Sequence, residues 1–269
     1  MNEKIKWGIV GLGRIARAFA EGLNFTSNAE LYGVASRTIQ KSKDFSKEWN
    51  VPRFFGSYDE LAEDENIDAI YIATPHSEHH DAALTSMRNG KAVLCEKPLA
   101  VNSLQATSMI SEAKKNNVLL MEGMWSRFPP LMQKVKQMVR NKEIGEVRLI
   151  QADFGFMPKN LDSNGRLFNP NLAGGSLLDV GIYPFSFSSM LLGMPNDFET
   201  IATMGKTQVD EHASFLLKYE NGAHAMLHSS ISCETGQEAM IMGTLGSIRI
   251  HKPLSLIHIS EPTRPLYIS

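Results

Sequence analysis

Near the start of the chain, Gly11-Leu12-Gly13-Arg14-Ile15-Ala16 follows an apolar run that includes Ile5, Trp7, Ile9 and Val10. Glycine at 11 permits a tight turn, and glycine at 13 lets backbone approach phosphate oxygens. Ala16 is small enough for a helix to pack on a strand. A helix that begins at Arg14 and Ile15 directs its first amides and its dipole at a bound anion. Such a turn also serves plain strand-to-helix packing. Its place here, after a strand and before a helix, is the context that a pyrophosphate cradle requires.

The next strand, Leu31 to Ala35, ends at Ser36-Arg37-Thr38. A unit that binds NAD places a carboxylate about 20 residues past the glycines, on the ribose 2′-hydroxyl. No carboxylate stands at this strand end. Ser36 offers a hydroxyl and Arg37 a guanidinium, which suit a 2′-phosphate and favour NADP over NAD. The competing reading of Arg37 is a solvated loop charge.

Two further groups suit proton transfer. Cys95-Glu96-Lys97-Pro98 places a lysine after an apolar strand, Ala92 to Cys95. At the C-terminal end of a central strand a lysine points to the cofactor cleft, although a surface lysine after a strand is also common. Farther on, Gly174-Gly175 precedes Ser176-Leu177-Leu178-Asp179-Val180-Gly181-Ile182-Tyr183. Asp179 and Tyr183 are four apart and share a face of a helix that is otherwise apolar. Buried polar groups need partners, so a capping aspartate and a satisfied core tyrosine are the structural alternative. A phenol ionises near pH 10 unperturbed, and an adjacent ammonium lowers that value. Tyr183 as acid/base with Lys97 as its electrostatic partner is therefore a coherent pair for hydride transfer from an alcohol, with Asp179 holding Lys97 or a substrate hydroxyl.

These residues must be positioned by a sizeable scaffold. The chain has 269 residues, 43% of them hydrophobic, and a formal net charge of −2. That length suits two domains, and the near-neutral charge argues against nucleic acid as a partner. No apolar stretch is long enough to span a bilayer and no signal peptide opens the chain, so no membrane partner is expected. Two cysteines, Cys95 and Cys233, give no disulfide framework and fit a cytoplasmic protein. The cluster His76-Ser77-Glu78-His79-His80 lacks a full ligand set, and no metal is expected.

Residues 1–122 alternate strand and helix: helices over 14–23, 39–49, 58–63, 79–88 and 103–116, and strands over 5–10, 31–35, 53–55, 69–73, 92–95 and 118–121. This predicts an α/β Rossmann fold, a doubly wound parallel sheet. Residues 123–254 change character, with a helix after Pro129-Pro130, a strand over 147–156 and a hairpin around Asn221-Gly222. A further strand pair over 239–251 turns at Gly246. This predicts an α+β domain with an open, mainly antiparallel sheet. Residues 255–269 read as a non-native tail resembling translated adapter sequence, with native C-terminal strands missing.

The Gly11 to Ala16 turn, the Glu96-Lys97-Pro98 motif and the Gly174-Gly175 to Tyr183 motif together resemble the glucose–fructose oxidoreductase/inositol dehydrogenase (Gfo/Idh/MocA) family, over about residues 5–253. Many members carry histidine where Tyr183 stands. Tyrosine there, with Ser36-Arg37 and Trp125-Ser126-Arg127-Phe128, is similar to a branch of dihydrodiol and D-xylose dehydrogenases. The resemblance implies Lys97 and Tyr183 as catalytic residues. It implies Thr74, Pro75, His79 and Glu96 along the nicotinamide, and Trp125, Arg127 and Phe128 near the substrate. It also implies a homodimer through the open sheet in the full-length protein. The expected activity is NADP-dependent hydride transfer to or from a D-xylose-like aldose or a cyclic trans-dihydrodiol. A cofactor-binding sugar sensor without turnover is the alternative, and an isomerase or glycosidase that retains its nicotinamide is a third reading.

Overall fold

The computed structural model describes residues 4–252, which fall into two compact units divided between Gly123 and Met124. The expected tail, 255–269, lies outside the described residues, as do positions 253 and 254 of the second expected domain and residues 1–3.

The first unit runs β1 (Ile5–Val10), α1 (Arg14–Leu23), β2 (Ala29–Ala35), α2 (Ile39–Trp49), β3 (Arg53–Phe55), α3 (Tyr58–Glu63), β4 (Ala69–Ile72), α4 (His79–Arg88), β5 (Ala92–Cys95), α5 (Ser103–Lys115) and β6 (Leu120–Glu122). All strands are parallel, in the order β3-β2-β1-β4-β5-β6. Every residue of β4 is buried, as a central strand covered on both faces requires. One layer of core holds Ile70, Ile72, Leu61 and Met87, and another holds Ile9, Ala16, Val34 and Phe45. Strand order reverses between β1 and β4, so their C-terminal ends open the crevice in which such sheets bind ligands.

Local signals account for the helix ends. Ser57 accepts the Glu60 amide at 3.1 Å, and the Glu60 carboxylate takes the Gly56 amide at 3.0 Å, a capping box shifted by one residue. Asn102 caps α5 by accepting the Gln105 amide at 2.9 Å.

The second unit comprises α6 (Pro130–Arg140), β7 (Val147–Gly155), α7 (Ile182–Leu192), β8 (Asp197–Met204), β9 (Asp210–Lys218), β10 (His224–Ser230), β11 (Ala239–Gly243) and β12 (Ser247–Ile250). Its sheet has the order β12-β11-β7-β10-β9-β8. It is mainly antiparallel, as expected, but β7 and β10 pair in parallel. The β9–β10 hairpin turns at Gly222, whose φ of +79° is left-handed. One face of the sheet buries Ile150, Ala213 and Phe215 against Met132 and Val135 of α6 and Phe187 of α7. On the other face, Glu199, Leu216, Met226, Gln151, Met240 and Arg249 form one register row across all the strands.

The structure adds β8, which no sequence element covers. Its residues are all exposed, and its large apolar ones, Phe198 and Ile201, fall on opposite faces, so no clean alternation marks it as a strand. The helix at Tyr183 also differs. Residues Leu177–Gly181 form a wide π-turn before α7. Pro184 has no N–H for the helix ladder and its ring crowds the preceding turn, which the wider turn relieves.

Candidate active site

In the first unit, the expected cofactor residues gather at the C-terminal ends of β1, β2, β4 and β5. Gly11 has φ +84°, and a Cβ there would lie 2.7 Å from the Ala73 carbonyl and the Thr74 nitrogen. Only glycine fits. Gly13 caps α1 with nothing within 4 Å of the side a Cβ would occupy. The helix has no side-chain cap and no acidic residue in its first turn, so the Arg14 and Ile15 amides are left for an anion. Thr74, two residues past β4, has its Oγ1 buried and without a hydrogen-bond partner. An orphaned hydroxyl, an open cradle and uncapped amides together fit a dinucleotide.

At the end of β2, Ser36 is buried and its Oγ accepts the Thr38 amide at 3.4 Å. The Arg37 side chain is 70% exposed and pairs with Glu78 at 3.5 Å. An ion pair that open to water is weak, so the guanidinium can exchange partners at little cost.

The segment after β5 is held closely. The Glu96 carboxylate accepts the Tyr71 hydroxyl and, at 3.2 Å, the Lys97 amide. His79 is fully buried, with Nδ1 2.8 Å from the Pro98 carbonyl and Nε2 3.1 Å from the Thr74 carbonyl. Burial holds its imidazole below the ordinary histidine value. The two carbonyls oppose that shift, and the Lys97 charge adds to it. His79 therefore holds the Thr74 and Lys97-Pro98 segments rather than presenting a ring edge to solvent. Pro75 follows Thr74 and is half-buried.

In the second unit, Tyr183 is buried, and its hydroxyl accepts the Trp125 indole N–H at 3.3 Å. The Trp125 and Phe154 rings meet it edge-on, at 6.0 and 5.1 Å. Asp179, also buried, accepts from Arg166. Arg127 spends its donors on α7: Nε reaches Ser186 Oγ at 2.7 Å and Nη2 reaches Ser189 Oγ at 3.0 Å. This holds the short turn Trp125–Arg127 in place, while Phe128 is 57% exposed.

The turn before the π-turn is anchored by Asp210 at the start of β9. Its Oδ2 accepts the Ser176 hydroxyl and the Leu177 amide, both at 2.7 Å. A Cβ on Gly175 would strike Asp210 Oδ1 at 2.1 Å, so this glycine serves the close approach. Sequence reasoning singled out Gly175 but missed Asp210, Arg166 and Phe154, which no local pattern links to Tyr183. Among the described residues, no group of His, Cys, Asp and Glu is placed to hold a metal, and no helix is long and apolar enough to cross a membrane.

Residues 5–124 match the GFO_IDH_MocA model, an oxidoreductase family with an NAD-binding Rossmann fold, and residues 132–249 match the GFO/IDH/MocA C-terminal domain. Trans-1,2-dihydrobenzene-1,2-diol dehydrogenase of Mus musculus is 38% identical over 252 residues, 92% of this chain and 75% of the relative. Aldose-aldose oxidoreductase from Caulobacter crescentus, complexed with glycerol, superposes with a TM-score of 0.88 at 28% identity, over 95% of this chain and 79% of that one. KijD10, a 3-ketoreductase from Actinomadura kijaniata in complex with NADP and TDP-benzene, gives 0.85 at 26% identity, over 94% and 78% of the two chains.

Proposed function

The chain belongs to the Gfo/Idh/MocA oxidoreductase family, and from that premise we propose that it is an NADP-dependent dehydrogenase of a cyclic trans-diol or a D-xylose-like aldose. It is an oxidoreductase acting on CH–OH groups, in common with its relatives. The observation that carries the reading is Tyr183: a buried phenol, ringed by Trp125 and Phe154, whose hydroxyl is aimed by an indole N–H.

Gly11, Gly13 and the amides of Arg14 and Ile15 hold the pyrophosphate. Ser36 and Arg37 receive the 2′-phosphate, with Arg37 releasing Glu78. Thr74, Pro75 and Glu96 line the nicotinamide, and His79 sets their backbone. Bound nicotinamide supplies the hydride acceptor at the alcohol carbon. Tyr183 takes the hydroxyl proton as the carbinol becomes a carbonyl, and returns it in the reverse direction. The Lys97 ammonium stabilises the negative charge on the phenol oxygen during that transfer. Asp179 and Trp125 orient the substrate hydroxyl, and Phe128 covers the sugar or diol ring. Arg127 acts through the turn it pins to α7. The second unit is the substrate-binding and self-association domain, and its open sheet face is where two copies of the chain pair.

The test is turnover in Tyr183→Phe and Lys97→Met alongside NADPH binding followed by fluorescence. Each variant should lose about 100-fold or more in kcat with NADPH affinity retained. Wild-type turnover in both contradicts the proposal.

A further inference from the structure

Lys97 lies in a loop whose backbone is gripped from several directions, and one of those grips comes from a carboxylate that the reaction above does not use. Glu122 ends β6, where it stands in register beside Cys95 of β5. Its Oε1 accepts the Leu99 amide at 2.8 Å. The Pro98 carbonyl meets His79 Nδ1, the Lys97 amide meets Glu96, and the Leu99 carbonyl takes the Cys95 thiol at 3.8 Å. Backbone groups at successive positions from 97 to 99 are thus each bound by a side chain. Of these, Glu122 supplies an ionisable acceptor from a neighbouring strand, and hydrogen bonds to a carboxylate are about twice as strong as neutral ones.

The strand end that carries Glu122 is fixed too. The Gly123 amide donates to the Cys95 carbonyl at 2.6 Å, and a Cβ on Gly123 would lie 3.2 Å from that oxygen. The carboxylate therefore starts from a rigid point and spans to the loop just past Lys97. We infer that Glu122 is a positioning residue for Lys97: by holding the Leu99 amide it closes the loop and fixes the backbone from which the lysine side chain projects. This rests on the role given to Lys97 above. A shift of about 1 Å in a catalytic group costs up to about 100-fold in rate, so the grip has a kinetic consequence even where the fold tolerates its loss.

The experiment compares Glu122→Ala, Glu122→Gln and Glu122→Asp in the full chain with Lys97→Met as the floor. It measures kcat with trans-1,2-dihydrobenzene-1,2-diol and NADP, NADPH affinity by fluorescence, and hydrogen exchange at the Leu99 amide. The inference predicts faster Leu99 exchange and about a tenfold or greater loss of kcat in Glu122→Ala, with NADPH affinity kept within about twofold. Glu122→Gln retains an oxygen acceptor and should restore most of both. Glu122→Asp withdraws the acceptor by one methylene and should behave like the alanine variant, so the glutamine and aspartate pair decides the matter if Glu122→Ala does not fold. Wild-type kcat in a variant whose Leu99 amide exchanges faster overturns the inference, as does a glutamine variant as slow as alanine. Wild-type turnover in Lys97→Met overturns the reading of Lys97 and the inference with it. An inactive Lys97→Met beside a fully active Glu122→Ala overturns the inference alone.

Discussion

Arg37 and Tyr183 show how differently two site residues are held. Tyr183 is enclosed by aromatic rings and its hydroxyl is aimed by Trp125. The Arg37 guanidinium lies in water, tied at 3.5 Å to a Glu78 that is itself partly exposed. The first is held rigidly, as the proposed proton transfer requires. The second suits recruitment by a dianion, because exchanging one exposed partner for a phosphate gains a charge-assisted, bidentate contact. Arg37→Ala should weaken NADPH binding by about tenfold or more, the equivalent of roughly 1.4 kcal/mol or above, while NADH binding changes by less than twofold. Paired titrations of both nucleotides check this, and equal losses for both would remove Arg37 from 2′-phosphate recognition. At this scale the legible residues were those with a local logic. Gly11 was readable because its turn is defined by neighbours in sequence, and Ser36-Arg37 because they end a strand. Asp179 and Arg166 were legible only in part: a carboxylate on an apolar helix asks for a partner, but nothing in the sequence says that the partner comes from the loop before it. Glu122 left no sequence signal, since its partner is a backbone amide.

The sheets divide along the same line. In the first unit, short strands alternate with helices and the central β4 is wholly apolar, so the pattern implies parallel order and a strand buried on both faces. In the second, hairpins at Gly222 and Gly246 were readable from their turns, but the parallel β7–β10 pair was not, because its partners are separated by α7, β8 and β9. β8 was invisible for a related reason. As an edge strand with every residue exposed, it carries no burial pattern. The row Leu216, Met226, Gln151 and Met240 sets three apolar side chains and one amide on an open face, flanked by Glu199 at one end and Arg249 at the other. A pairing of two copies through this face about a twofold axis, as proposed above, would set the same row of each copy against the other. Met226→Glu introduces an acidic side chain at the middle of the row and leaves the buried face untouched. Sedimentation should show the parent as a dimer and this variant as a monomer. A monomeric parent, or a dimer that survives the substitution, would place association elsewhere.

For the molecule as a whole, two family models together cover most of the chain, and both sheets carry the architecture that the motifs implied. The enzymatic class follows from that membership, while the proposed cofactor choice and substrate rest on a handful of side chains: Ser36 and Arg37 for one, and Tyr183, Asp179, Trp125 and Phe128 for the other. The most direct test is therefore turnover by the chain itself. Trans-1,2-dihydrobenzene-1,2-diol and, separately, D-xylose are mixed with the protein and either NADP or NAD, and the appearance of reduced nucleotide is followed by fluorescence. The account predicts that at least one of the two alcohols reduces NADP, with kcat/KM for NADP at least about tenfold above that for NAD, a difference of roughly 1.4 kcal/mol. Reduction of neither nucleotide by either alcohol, in a protein that binds NADPH, would contradict it.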